Sequence, residues 1–219
     1  MTFLRKHLQA VAGYTPGEQP PPGSSVIKLN TNENPYAPSP EVFRSLQTLD
    51  SEWLRRYPDP TAIAFRQAAG EVLEIPTDWI TAGNGSDELI SLIVRTFAEV
   101  GEKVVYPMPS YVLYRTVAQI QSATPVEIPY DETFTFPLQD LIAAQGAVTF
   151  IASPNSPLGN AVPLDQLDTL ATELRGILVI DEAYVDFTNR NALSLTQKYD
   201  NVILLRTLSK GYSLAGLRL

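Results

Sequence analysis

A lysine near the end of the chain stands among residues suited to a carbonyl compound that carries a phosphate. Lys210 follows the apolar run at residues 202–205, which is typical of a buried strand. Shielding from water favours the neutral amine of a lysine, and a neutral amine attacks carbonyl groups. The same segment supplies hydroxyl and guanidinium donors suited to phosphate, those of Thr207, Ser209 and Arg218. A solvated loop lysine would show the same pattern, so the segment alone leaves both interpretations open.

An acid follows another apolar run, 29 residues before the lysine. Asp181 comes directly after residues 177–180, so we expect it at the inner rim of a sheet. An ionised carboxylate there is costly unless a cation pairs with it. A protonated pyridine nitrogen is one such cation, and capping of the following turn is the alternative. Tyr184, three residues on, can contact the same ligand.

Three more polar or aromatic segments follow apolar runs. Gly83-Asn-Gly-Ser-Asp-Glu88 opens a predicted helix, and its backbone N–H groups can hold a phosphate. The alternative is a tight turn in which Ser86 or Asp87 caps the helix. Tyr111 can stack on a planar ligand or cover the core. Asn155 lies between two prolines that restrict its backbone, and an ordinary turn asparagine is the alternative.

Alternating short strands and helices are expected to position these residues. Strands are predicted at 79–82, 103–106, 124–128, 148–151, 177–180 and 202–205, with helices at 85–99, 110–121, 137–145 and 163–174 between most of them. Earlier helices are predicted at 3–11, 40–49 and 61–73. This order favours an α/β fold, a mostly parallel sheet with helices on both faces, and ligands bind at the carboxyl ends of its strands.

Composition excludes several classes of protein and site. The chain has 219 residues, a net charge of −8 and no cysteine, which argues against nucleic acid or an anionic membrane as partner and against disulfides. No apolar run is long enough to span a bilayer. His7 is the sole histidine, so we expect no metal site and no Ser-His-Asp triad. These features suit a cytoplasmic protein.

Together, the strand ends offer a partner for each group of pyridoxal phosphate: an amine, an acid, an aromatic ring, an amide and phosphate donors. At this point the chain resembles the fold-type I pyridoxal-phosphate-dependent aminotransferases, and among them the branch that acts on histidinol phosphate. The resemblance rests on motifs in the family's order over nearly the whole chain: Leu29-Asn-Thr-Asn-Glu-Asn-Pro-Tyr36, Arg56-Tyr-Pro-Asp-Pro60, Gly83–Glu88, Pro109-Ser-Tyr111, Asp181-Glu-Ala-Tyr184, Arg206-Thr-Leu-Ser-Lys210 and Leu214-Ala-Gly-Leu-Arg218.

The resemblance implies a role for each matching residue. Lys210 would bind the cofactor aldehyde covalently and then shuttle a proton between Cα and C4′. Asp181 would pair with the ring nitrogen, Tyr111 would stack on the ring, and Tyr184 and Asn155 would bond its phenolic oxygen. The phosphate would be held by Ser86, Asp87, Thr207, Ser209, Arg218 and Tyr57, the last from the other subunit of a homodimer. Tyr14 and Asn34 would contact the substrate, Tyr14 that of the partner subunit.

The same resemblance implies a domain organisation. Residues 1–36 would form an N-terminal helix and arm, and residues 37–219 the cofactor-binding large domain. Family members continue beyond the position of Leu219 with an antiparallel strand and a small domain whose arginine grips the substrate. We therefore expect an incomplete chain with an unfinished substrate site. In Ser153-Pro-Asn-Ser-Pro-Leu-Gly159, three positions differ from the usual family motif, although Asn155 keeps its place.

The reaction class stays open at this stage. In the first hypothesis an amino group is transferred from histidinol phosphate to 2-oxoglutarate. Histidinol phosphate is then the small-molecule amino donor, and 2-oxoglutarate is the 2-oxo acid that accepts the group. The second hypothesis keeps the cofactor and the fold but changes the reaction: the protein is an aromatic amino-acid aminotransferase or a decarboxylase that acts on a phosphorylated amino acid. The third is a scaffold without turnover.

Overall fold

The computed structural model describes residues 3–11, 17–21 and 23–219 of the chain. Its helices are α1 (Pro40–Gln47), α2 (Ser51–Arg55), α3 (Ile63–Leu73), α4 (Ser86–Phe97), α5 (Leu113–Gln121), α6 (Leu138–Ala144), α7 (Leu164–Glu173) and α8 (Leu193–Lys198). Its strands are β1 (Lys103–Met108), β2 (Thr124–Pro129), β3 (Val148–Ala152), β4 (Ile177–Asp181) and β5 (Val202–Leu205). Short 3-10 turns lie at Lys6–Ala10, Thr77–Trp79, Val185–Phe187 and Ala215–Leu217.

The strands pair in the order β2-β1-β3-β4-β5, and every pairing is parallel. Because parallel strands all point the same way, the segments that follow β1, β3, β4 and β5 emerge at one edge of the sheet. The register aligns Ala152, Asp181 and Leu205 across three neighbouring strands. This edge therefore gathers the polar segments that the sequence places after each strand.

Helices cover both faces of the sheet, as predicted. Successive residues of a strand point to opposite faces, so Phe150 packs with Ile90 of α4 and Tyr114 of α5, while Ile151 packs with Leu170 of α7. All five of these side chains are buried. Apolar runs in β3 and β4 are long because both faces are covered.

The predicted strand at Trp79–Ala82 is wrong. Residues 77–79 form a 3-10 turn in which the Trp79 N–H bonds the Pro76 carbonyl at 3.0 Å. The Ile80 N–H likewise bonds the Thr77 carbonyl at 3.2 Å. A strand needs these donors for a neighbouring strand, and the local turn uses them instead.

The N-terminal helix is shorter than predicted. The expected apolar stripe would include Phe3 and Val11, but the helical part covers only Lys6–Ala10 as a 3-10 turn. Phe3 is fully exposed, so burial does not hold a longer helix together. His7 is exposed, as predicted, and its Nε2 lies 3.3 Å from the Ile120 carbonyl at the end of α5.

No helix in the described ranges is long and apolar enough to cross a membrane.

Candidate active site

A cleft of about 410 Å³ opens at the carboxyl edge of the sheet. Nine of the predicted site residues line it: Ser86, Asp87, Tyr111, Asp181, Tyr184, Thr207, Ser209, Lys210 and Arg218. They come from the segments after β1, β4 and β5 and from the first turn of α4. The loop at residues 30–32 closes one side. The parallel sheet thus brings together side chains that lie more than one hundred residues apart in sequence.

The Lys210 amine points toward the loop at residues 29–36. Its Nζ donates to the Thr31 carbonyl at 2.9 Å and lies 5.7 Å from the centre of the Tyr184 ring. Asn34 holds the loop to the same segment, because its Nδ2 donates to the Lys210 carbonyl at 3.0 Å. Gly211 is needed beside it, since a Cβ there would lie 2.3 Å from an Asp186 carboxylate oxygen. The amine is therefore in the cleft and is held by a neutral acceptor.

Asp181 is a buried acid with no cationic partner among the described residues. Its Oδ2 accepts a hydrogen bond from the Tyr114 hydroxyl at 2.7 Å, and its Oδ1 accepts one from the Ala183 N–H at 3.1 Å. Burial raises the pKa of the Asp181 carboxyl above its ordinary value, although both hydrogen bonds lower it. A bound cation would remove this cost of burial.

The next acid along the chain does have a cation. Glu182 is 2% exposed, and its Oε2 accepts from Arg206 Nε at 2.9 Å, while its Oε1 accepts from the Ala192 N–H. Burial nevertheless raises the pKa of Glu182. Of two adjacent buried acids, only Asp181 faces the cleft without a positive charge.

The part of the cleft lined by the first turn of α4 is suited to an anion. The first N–H groups of α4 have no partner within the helix, and the helix dipole places partial positive charge there. Arg218 lies beside them, with Nη2 3.8 Å from an Asp87 carboxylate oxygen. Gly85 makes this approach possible: it has a φ of +75°, and a Cβ would lie 2.6 Å from Arg218 Nη2. The turn therefore places a guanidinium against a helix N-terminus.

Hydroxyl groups complete the wall of the cleft. Thr207 and Ser209 are both buried, and their side chains bond each other at 3.0 Å. The Tyr111 hydroxyl donates to an Asp87 carboxylate oxygen at 3.0 Å, and the Tyr184 hydroxyl accepts from Asn32 Nδ2 at 2.9 Å. Hydrogen bonds to other residues of the cleft lining thus fix both aromatic side chains.

Three predicted residues that the structure describes, Asn34, Tyr57 and Asn155, are not among those that line this cleft. Asn155 is buried; its Nδ2 donates to the Pro109 carbonyl in the segment after β1, and its Oδ1 accepts from the Leu158 N–H in its own loop. Asn34 holds the loop as described above. Tyr57 is fully exposed. Tyr14 lies outside the described residues.

Two further residues at the site were not predicted from the sequence. Tyr114 donates a hydrogen bond from its hydroxyl to Asp181, and the Thr31 carbonyl accepts one from Lys210. Tyr114 follows Tyr111 by three residues, about one turn of the helix predicted at 110–121, and this spacing is a usable signal. A backbone acceptor such as that of Thr31 leaves no signal in the sequence.

Within the described ranges, no group of three or more His, Cys, Asp or Glu residues is arranged to hold a metal ion.

Comparison with known proteins gives consistent matches. Over 217 residues the chain is 62% identical to histidinol-phosphate aminotransferase 1 of Trichormus variabilis, covering 99% of this chain and 62% of that protein. It is 44% identical to the histidinol-phosphate aminotransferase of Geobacter sulfurreducens, of which it covers 63%. The crystal structure of the Sinorhizobium meliloti histidinol-phosphate aminotransferase in complex with pyridoxal-5'-phosphate superposes with a TM-score of 0.79 at 30% identity, over 85% of this chain and 53% of that one.

The chain thus spans somewhat less than two thirds of the length of these curated relatives. The model of the family described as aminotransferase class I and II matches residues 24–219. This match covers the whole sheet, the helices on both of its faces and all residues that line the cleft. The chain belongs to the aminotransferase class I and II family.

Proposed function

We propose that the cleft binds pyridoxal phosphate and that the protein of this chain is a transaminase. The observation that carries the proposal is that Lys210 and the unpaired acid Asp181 line one cleft. A buried carboxylate without a cation is costly, and a protonated ring nitrogen would remove that cost. The Gly85 turn, with Arg218 against the helix N-terminus, fits the phosphate. The donor groups present therefore fit every part of this cofactor.

Bound pyridoxal phosphate supplies an aldehyde that captures amines and a ring that withdraws electrons from the captured carbon. Lys210 would hold the aldehyde and, once released, carry the proton at the substrate Cα. Asp181, ionised, would keep the ring nitrogen protonated, and Tyr111 would cover the ring. Tyr184 and Asn155 would bond the phenolic oxygen. The phosphate would be held by Ser86, Asp87, Thr207, Ser209 and Arg218.

The substrates proposed are histidinol phosphate as amino donor and 2-oxoglutarate as acceptor, which give imidazole acetol phosphate and glutamate in histidine biosynthesis. The names of the relatives at 62% and 44% identity support this choice. Tyr14 and Asn34 are proposed to contact the substrate. The reaction is placed in the cytoplasm, which the absence of cysteine suits.

A homodimer belongs to the same proposal. Tyr57 is fully exposed on its own chain and is not among the residues that line its own cleft. We place it at the phosphate of the partner subunit. In this arrangement residues 1–36 form an N-terminal helix and arm, and residues 37–219 form the cofactor-binding domain.

Glutamate formation tests the proposed reaction. The full-length protein, loaded with pyridoxal phosphate, is incubated with histidinol phosphate and 2-oxoglutarate, and glutamate is measured by mass spectrometry. We expect glutamate from the native protein and from Lys198→Ala, whose lysine pairs with Asp168 on the surface, and none from Lys210→Ala. Equal yields from Lys210→Ala and the native protein would contradict the role of Lys210. No glutamate from the cofactor-loaded native protein would contradict the proposed substrates.

A further inference from the structure

Tyr114 contacts two residues that line the cleft, Asp181 and Tyr111, although it does not line the cleft itself. The side chain is wholly buried, and its hydroxyl donates to Asp181 Oδ2 at 2.7 Å. Its ring stacks on Phe150 with 4.5 Å between centroids and an interplanar angle of 9°. The Tyr111 ring lies nearly perpendicular to the Tyr114 ring, with 5.7 Å between their centroids and an interplanar angle of 88°. Three rigid neighbours therefore fix where the hydroxyl points.

This hydroxyl is the only side-chain donor to the Asp181 carboxylate among the residues that the structure describes. The other oxygen is held by the Ala183 N–H at 3.1 Å. With both oxygens bonded, the carboxylate plane is fixed, and Asp181 still lines the cleft. Hydrogen bonds to an ionised group are roughly twice as strong as those between neutral groups, so Tyr114 also favours the charged form of the acid.

We propose that Tyr114 is a positioning residue for the cofactor's ring nitrogen, acting through Asp181. The inference rests on the proposed binding of pyridoxal phosphate. Without the hydroxyl, the carboxylate loses one of two fixed oxygens and one source of stabilisation for its charge. The acid then pairs less well with a protonated ring nitrogen. Contacts to the aldehyde and the phosphate involve other residues and are unaffected.

The substitution Tyr114→Phe tests this, because it removes the hydroxyl and keeps the ring against Phe150. Tyr106→Phe is a matched control. Tyr106 is equally buried in the same aromatic cluster, and its hydroxyl donates to the carboxylate of Glu127 at 3.0 Å, outside the cleft. Dissociation constants are measured for pyridoxal phosphate and for 1-deaza-pyridoxal phosphate, which keeps aldehyde and phosphate but has carbon in place of the ring nitrogen.

We expect Tyr114→Phe to weaken binding of pyridoxal phosphate about tenfold or more, as for loss of a hydrogen bond to a charged group. Binding of the deaza analogue should change less than about threefold, within the range of context effects on a neutral contact. Tyr106→Phe should change neither. Retained binding of the analogue by Tyr114→Phe shows that this variant is folded.

An equal loss for both probes would show a merely structural role and would overturn the inference, as would no loss for either. A native chain that binds neither probe would overturn the proposed function itself, and with it this inference. The two failures are therefore distinguishable in one set of titrations.

Discussion

The carboxyl edge of the sheet and the α1–α2 segment are stabilised in different ways. At the sheet edge, β3, β4 and β5 lie in a core whose side chains are almost fully enclosed. In α1 and α2 no residue is buried, and Trp53 is 72% exposed. These two helices are stabilised by their N-caps Ser39 and Asp50 and by ion pairs within one turn. Tertiary packing thus defines the candidate site, and local interactions define the N-terminal helices.

Core truncation should show the largest difference between the two regions. Phe150→Ala removes a wholly buried ring and should lower the free energy of unfolding by roughly 3–5 kcal/mol. Trp53→Ala should change it by no more than about 0.5 kcal/mol, because the side chain is exposed. Urea unfolding followed by circular dichroism measures both. Similar losses for the two variants would show that α2 is covered in solution, for example by the proposed partner subunit.

The contributions of Asp181 and Glu52 to folding stability should change with pH in opposite directions. Burial raises the pKa of Asp181, so its ionisation costs stability above the folded-state pKa, and this cost vanishes below the unfolded value of about 3.9. Asp181→Asn should therefore stabilise the cofactor-free chain at pH 7 and lose this advantage toward pH 4. The pKa of Glu52 is lowered by its hydrogen bond to Arg55, so Glu52→Gln should lose a stabilisation that is complete above the ordinary glutamate pKa and disappears as pH falls through the lowered folded-state pKa.

Urea titrations of both variants at pH 7 and pH 4 measure these effects. A destabilised Asp181→Asn variant at neutral pH would mean that the carboxylate already has a counter-charge. That result would remove the argument for a cationic ligand beside it.

The smallest effect is expected at the cap of α2. Asp50 accepts a hydrogen bond from the Trp53 N–H at 3.1 Å, and its replacement by alanine should cost the helix roughly 1 kcal/mol. Because α2 buries nothing, this cost should stay local and leave the urea midpoint unchanged. Hydrogen exchange of the Trp53 amide should become faster while amides of β4 keep their rates. Faster exchange throughout the sheet would contradict the independence of the two regions.

Much of the sheet could be predicted because its strands are buried on both faces. The run Val202–Leu205 was predicted with its observed bounds, since four apolar residues between polar ones leave little choice. The site followed from the same logic, because ligands bind where parallel strands end. For this reason Asp181 and Lys210 could be placed in one cleft from sequence alone.

The remaining errors have physical causes. Residues 79–82 have the composition of a strand, but composition does not reveal whether a partner strand accepts the hydrogen bonds. Helix α2 was missed because its stability comes from a cap and ion pairs rather than an apolar stripe. The helical spacing from Tyr111 makes Tyr114 a candidate, but its hydrogen bond to Asp181 spans 67 residues and depends on how the Tyr114 ring packs against Phe150 of β3, which the spacing does not reveal.

The most direct test of the account is to locate the amine that captures the cofactor. The chain is incubated with pyridoxal phosphate, reduced with borohydride, digested and analysed by mass spectrometry. We expect one dominant adduct on Lys210, which is lost in Lys210→Ala and kept in Lys198→Ala. An adduct spread evenly over exposed lysines such as Lys198, with the same total in Lys210→Ala, would contradict the assignment of Lys210.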